Sequence, residues 1–150
     1  MNKPAYLKTL KSLVRCYQAF TALALVEHRT NDITEAQFDV IATLGNTKGM
    51  TCKELGEKTL ITKGTLTGVL DRLTDKGLIT RTTPEDNRRS YHIALTTKGV
   101  DLFNDMFPRH LAFMAPPFNA LSEEEHLQLC HLTEKLRASI MTYKKEQEHE

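Results

Sequence analysis

The chain is expected to be mainly α-helical, with one small β-hairpin set in its middle. Three observations carry that expectation. Apolar residues recur at spacings of three and four through most of the 150 residues, the period of helices with one buried face. Two short runs rich in Thr, Ile and Tyr, residues 78–83 and 90–95, flank the charged turn Pro84-Glu85-Asp86-Asn87-Arg88-Arg89, the mark of a hairpin. Where three of the helical patterns begin, a Thr or Ser stands three residues ahead of a Glu or Gln, the reciprocal cap that starts helices.

Leu7, Leu10, Leu13, Val14, Tyr17, Phe20 and Ala24 define the first helix, and the polar break His28-Arg29-Thr30-Asn31-Asp32 ends it. Thr34 with Gln37 caps the second, which buries Phe38, Ile41, Ala42 and Leu44 and stops at Gly45-Asn46. Thr51 with Glu54 caps a short third helix through Leu55 to Lys58. A fourth opens near Thr62 and turns Leu66, Val69, Leu70 and Leu73 inward. It closes at Gly77, a residue suited to the left-handed turn that ends helices. After the hairpin, Phe103, Met106 and Phe107 mark a fifth helix, which Pro108 and Pro116-Pro117 are expected to kink or break. Ser122 with Glu125 caps the sixth, whose Leu129, Leu132, Leu136, Ile140 and Tyr143 form a narrow seam for another helix. Its polar tail from Lys144 is expected to fray.

Composition narrows the class. Hydrophobic residues at 40% and charged residues at 26% fit a soluble globular chain, with no apolar run long enough to span a bilayer and no signal-peptide pattern. Cys16, Cys52 and Cys130 are an odd, scattered set without a CxxC, which predicts reduced thiols and a cytoplasmic location. Neither a nucleophile–base pattern nor a phosphate-binding glycine loop is present, so no enzyme and no cofactor is expected. The net charge of +1 conceals an asymmetry: residues 51–99 hold nine Lys/Arg against six Asp/Glu, and residues 100–150 hold five against nine. A polyanion would meet the middle of the chain.

Helix, helix, helix, hairpin is the order of a winged helix-turn-helix. The outer helices offer about a dozen large apolar side chains, each worth roughly 1.5–3 kcal/mol when buried, and a lobe of this size cannot cover them. A second copy is the simplest cover, so a C2 homodimer through the terminal helices is expected. In this division residues 1–32 and 100–150 form the dimerisation region, and residues 33–99 form the DNA-binding lobe.

With its leucines buried, the fourth helix shows Thr62, Lys63, Gly64, Thr65, Thr67, Gly68 and Arg72 on its outer side. Small, polar and cationic side chains let a helix backbone approach base edges in a major groove. Each glycine costs about 1 kcal/mol of helix stability relative to Ala, which close approach to DNA would explain; the alternatives are tight packing within the protein or no particular role. Arg88 and Arg89 at the hairpin tip suit the negative potential of a minor groove.

Residues 55–99 resemble the MarR family of bacterial transcription regulators. The match runs through Thr65-Leu66-Thr67-Gly68-Val69-Leu70-Asp71-Arg72-Leu73, Lys76-Gly77-Leu78-Ile79-Thr80-Arg81, Asp86-Asn87-Arg88-Arg89-Ser90 and Leu95-Thr96-Thr97-Lys98-Gly99. The resemblance implies a homodimer on double-stranded DNA, a recognition helix in each major groove and a wing arginine in each flanking minor groove of a pseudo-palindrome. By position Arg89 is that minor-groove arginine and Arg88 a phosphate contact. Where the family usually has an Asp two residues before the arginine, this chain has Asn87, with Asp86 beside it.

The same resemblance implies release of DNA by a small molecule, often an aromatic carboxylate, or by oxidation or metal. Arg15, Gln37 and Phe38 are the candidate ligand residues: a cation beside aromatic and apolar walls suits a carboxylate. The alternatives are a solvated Arg15 and a core Phe38. Cys16 is the candidate redox thiol, with a buried structural cysteine as its alternative and Cys52 at a helix start as a second thiol. His126 and Cys130, with Glu125 beside them, lack the further ligand a metal site needs. Two other readings remain: a thiol-sensing regulator of the same fold, and a winged-helix protein-interaction module that does not bind DNA.

Overall fold

The computed structural model describes residues 4–28, 32–59, 61–83 and 91–148. Among these the element order is α1 (Ala5–His28), α2 (Glu35–Leu44), β1 (Met50–Thr51), α3 (Cys52–Lys58), α4 (Lys63–Asp75), β2 (Ile79–Thr82), β3 (His92–Leu95), α5 (Thr97–Phe118) and α6 (Glu123–Glu148). The chain divides into two compact units, Met1–His110 and Leu111–Glu150.

In the first unit, local chemistry sets the helix starts. The Thr34 hydroxyl accepts from the Gln37 amide while the Gln37 side chain accepts from the Thr34 amide, and Thr51 and Glu54 form the same reciprocal pair. Each pair satisfies two backbone donors that a helix start would otherwise leave open. At the end of α4, Gly77 takes φ +69. There the Leu78 amide donates to the Leu73 carbonyl at 3.0 Å and the Gly77 amide to Thr74 at 2.8 Å, closing the helix in a Schellman turn.

The hairpin forms as expected, with Ile79 opposite Leu95 and Thr82 opposite His92. A third strand joins it. β1 is only two residues long and pairs antiparallel with β3, giving the order β1-β3-β2. Against this sheet, α2, α3 and α4 bury a common core in which Val40, Ile41, Leu44, Leu55, Leu73 and Ile93 are essentially solvent-free.

The stretch from Leu95 to Gly99 fastens α5 to the turn after α4. Thr96 donates its amide to the Leu78 carbonyl and its hydroxyl to the Gly77 carbonyl, and accepts from the Gly99 amide. The Lys98 ammonium donates to the Lys76 carbonyl at 2.8 Å. A side chain at Gly99 would overlap that same Leu78 carbonyl, and one at Gly45 would overlap the Phe103 ring. The end of α4, the start of β2 and α5 are thus locked together at backbone contact.

Two expectations fail. Pro108 does not break α5, which runs as one helix through Pro108 and ends at Phe118, directly after Pro116-Pro117. Proline removes one amide donor from the ladder, but buried Phe103 and Met106, and Phe107 stacked on Phe103 at 4.9 Å, hold the helix just before the proline. The tail from Lys144 stays helical to Glu148, where Lys144 pairs with Glu148 at 3.4 Å.

In the second unit, Ser122 and Glu125 form the expected cap of α6. None of the residues of α6 is buried. His126 lies against the Phe118 ring with centroids 6.4 Å apart.

Candidate nucleic-acid interface

α4 divides cleanly along its length. Leu66, Val69, Leu70 and Leu73 are buried against the core, while Lys63, Gly64, Thr65, Thr67, Gly68, Asp71 and Arg72 are exposed. At 3.6 residues per turn, Gly64, Gly68 and Asp71 sit opposite the buried stripe and form the outward crest. Thr67 with Lys63 flanks the crest on one side, and Arg72 with Thr65 on the other.

Among the described residues nothing packs against the two glycines. A Cβ built at Gly64 or Gly68 meets nothing within 4 Å. Tight packing against the described residues is thereby removed as an explanation for these glycines. At these two positions the crest carries no side chain, which lets an external surface come within backbone reach.

Thr62 is the N-cap of α4, yet its side chain makes no capping bond to the backbone. Its hydroxyl donates instead to the Thr65 hydroxyl at 3.0 Å. Asp71 accepts from Arg81 of β2 at 2.6 Å, which ties the outward side of α4 to the root of the wing. This pairing escaped the sequence reading. Its signal was present in Arg81 on a strand beside a helix bearing Asp71, but the pairing depends on how the hairpin folds back. Arg88 and Arg89, with Asp86 and Asn87, lie outside the described residues.

Behind the start of α4 lies a cavity of about 500 Å³, walled by α1, α2, α4 and α5. Its aromatic walls are Tyr17 and Phe20 of α1, Phe38 of α2 and Phe107 of α5, and Ile61, Thr62 and Thr65 close the side nearest α4. Glu35, Asp39 and His110 also line it. His110 Nδ1 is 2.7 Å from a Glu27 carboxylate oxygen, and its ring lies 4.5 Å from Phe38.

Of Arg15, Gln37 and Phe38, the structure brings only Phe38 to this cavity. Arg15 is exposed on α1 and is not part of the wall. Gln37 is buried, but its carbonyl oxygen is engaged by the Thr34 amide and the Lys76 ammonium, each at 3.3 Å. The capping role that the sequence assigned to Gln37 takes it out of the wall. Cys16 is exposed rather than buried, Cys52 is half-buried and Cys130 is exposed. Among the described residues no three His, Cys, Asp or Glu side chains gather as a metal site, and no helix is long and apolar enough to cross a membrane.

A three-helix lobe with a bare-crested fourth helix position and a strand pair beside it defines a winged helix-turn-helix of the kind that binds DNA. The MarR family model matches residues 33–91. The chain is 30% identical to the HTH-type transcriptional regulator MhqR of Bacillus subtilis over 131 residues, covering 87% of this chain and 88% of that protein. It is 31% identical to the HTH-type transcriptional repressor MdtR of the same organism, covering 90% and 87%. Among solved structures, Bordetella bronchiseptica BpsR, whose DNA binding is regulated by 6-hydroxynicotinic acid, superposes with a TM-score of 0.76 at 25% identity, covering 87% of this chain and 98% of that one. The protein belongs to the MarR family and is a DNA-binding transcription regulator.

Proposed function

We propose that this protein is a repressor that binds a pseudo-palindromic operator as a homodimer and is released by a small molecule seated in the α1–α2–α5 cavity. Residues 33–99 are the DNA-binding lobe, and residues 1–32 and 100–150 the dimerisation region of a cytoplasmic protein. Thr62, Lys63, Gly64, Thr65, Thr67, Gly68 and Arg72 serve the major groove, and Arg88 and Arg89 serve the wing.

One observation carries the DNA-contact reading: the crest at Gly64 and Gly68 is open space on an exposed, partly cationic face. Tolerating two helix glycines that pack against nothing makes sense where an outside surface must approach the backbone closely. The dimer reading is supported by the terminal helices. Leu10, Leu13, Val14 and Tyr17 of α1 and Leu129, Leu132, Leu136, Ile140 and Tyr143 of α6 are all exposed in the single chain. Apolar side chains at that periodicity form a seam for a partner helix. Release by a ligand is supported by position, because Thr62 and Thr65 both begin α4 and line the cavity. An occupant there touches the recognition helix directly.

In vitro selection from random duplex DNA tests this reading. The expected product is an inverted repeat with half-site centres about 10 bp apart, bound with log affinity falling linearly against log salt. Recovery of an asymmetric site, or no enrichment, contradicts it.

A further inference from the structure

The outward crest of α4 carries an acid. Asp71 continues the line of Gly64 and Gly68, and its side chain is 58% exposed. A carboxylate on a face that meets phosphates is repelled by them, so its presence there needs a reason. Its partner is as unusual. Along β2, Ile79 is buried, Thr80 exposed, Arg81 half-buried and Thr82 exposed. Alternate strand residues share a face, so Arg81 lies on the inward side with Ile79, directly across from solvent-free Ile93 of β3.

From that inward position the Arg81 guanidinium reaches Asp71 through a single terminal nitrogen, Nη2, which donates to Oδ1 at 2.6 Å. The Nε–H of the same group is buried and has no hydrogen-bond partner among the described residues. A buried donor left open is a cost to the fold, and an ion pair this exposed on one side contributes little to stability. The arrangement is therefore poorly explained as a stabilising contact. What it does accomplish is mechanical: past the turn at Leu78, it fastens the strand that leads into the wing to the helix that faces outward.

We propose that Asp71 and Arg81 are positioning residues for sequence-specific DNA binding: their ion pair holds the β2–β3 strands at a fixed offset from α4, so that helix and wing engage one duplex together. This rests on the reading of α4 and the wing as the DNA-contacting parts, and adds the device that couples them. Pairing also cancels the Asp71 charge towards the phosphates. Breaking the pair should thus harm binding to the correct site more than binding to any duplex at all, because loose encounter depends on charge and exact fit depends on placement.

Fluorescence anisotropy at fixed salt tests this, with the operator recovered by selection and a scrambled duplex of equal length. The readout is the ratio of the two affinities. Asp71→Asn and Arg81→Gln are each expected to lower that ratio by about tenfold, and the double variant also by about tenfold rather than a hundredfold, since either change alone removes the tie. Asp71→Asn should leave scrambled-duplex binding unchanged or tighter, because a negative charge is gone. Arg81→Lys should keep most of the ratio, the bond needing one terminal nitrogen. Damage to folding weakens both duplexes together and leaves the ratio in place. Losses that add in the double variant overturn the proposal, as does a ratio indifferent to both substitutions. It is overturned too if Asp71→Asn changes the base preferred at one position of each half-site, which would make Asp71 a direct reader of a base edge. In each of these cases an enriched operator leaves the DNA-binding reading standing, whereas a parent protein that enriches no duplex removes that reading and the positioning role with it.

Discussion

α4 and α6 are both exposed helices, and they are exposed in opposite ways. α4 buries its leucines and shows threonines, glycines, a lysine and an arginine. α6 buries nothing and shows Leu127, Leu129, Leu132, Ile140 and Tyr143 at 47–68% exposure. A helix whose inward face is satisfied and whose outward face is small and polar is complete within its own chain and ready for a polar, charged partner. One with an apolar seam and no cover is incomplete. The contrast supports the proposal that the first meets DNA and the second a further copy of the chain.

The largest effect should come from spoiling the seam. Leu132→Glu combined with Leu136→Glu is expected to yield a monomer in sedimentation velocity. Operator affinity should drop by about 100-fold or more as two-site binding is lost. A variant that stays dimeric would move the interface away from α6. Next comes the crest. Gly68→Leu should weaken operator binding by about tenfold or more, while leaving melting temperature unchanged or raised, because leucine favours helix by nearly 1 kcal/mol over glycine. Equal loss of stability and affinity would mean that the glycine packs after all.

Glycines elsewhere sharpen the same contrast. Gly64→Ala should stabilise the chain by about 0.5–1 kcal/mol, whereas Gly45→Ala forces a methyl into the Phe103 ring and should destabilise it by about 1–3 kcal/mol. Thermal unfolding of the two variants measures both signs. The smallest effect concerns acid. Hydrogen bonds from the Thr51 amide, then its hydroxyl, hold the Glu54 carboxyl below its ordinary value. A carboxylate depressed on folding stabilises above its unfolded pKa and ceases to do so as pH falls through the folded one. Glu54→Gln should therefore lose stability relative to the parent at neutral pH and match it in strong acid.

Features decided within one turn of chain were legible beforehand. The pairs Thr34–Gln37, Thr51–Glu54 and Ser122–Glu125 each bond three residues apart, and all three caps form. Gly77 likewise ends its helix through neighbours. Features decided by distant packing were not legible. β1 is two residues long and exists only because β3 passes beside it. Local proline chemistry argued for a break at Pro108, but the packing of Phe103 and Met106 overrides it. The wall of the cavity exists only once α1, α2, α4 and α5 are assembled. Sequence spacing on α1 and α2 instead singled out Arg15, which faces solvent. The glycines of α4 were visible from the start, but only the empty space around them separates an approach surface from a packing point.

Pulsed electron resonance between spin labels at Thr67→Cys, with Cys16, Cys52 and Cys130 replaced by Ser, tests the central claim in the operator-bound protein. Two recognition helices in successive major grooves predict one dominant separation close to about 34 Å, a single helical turn of DNA. Absence of any dipolar signal, or a separation that fits no whole number of turns, would contradict the account.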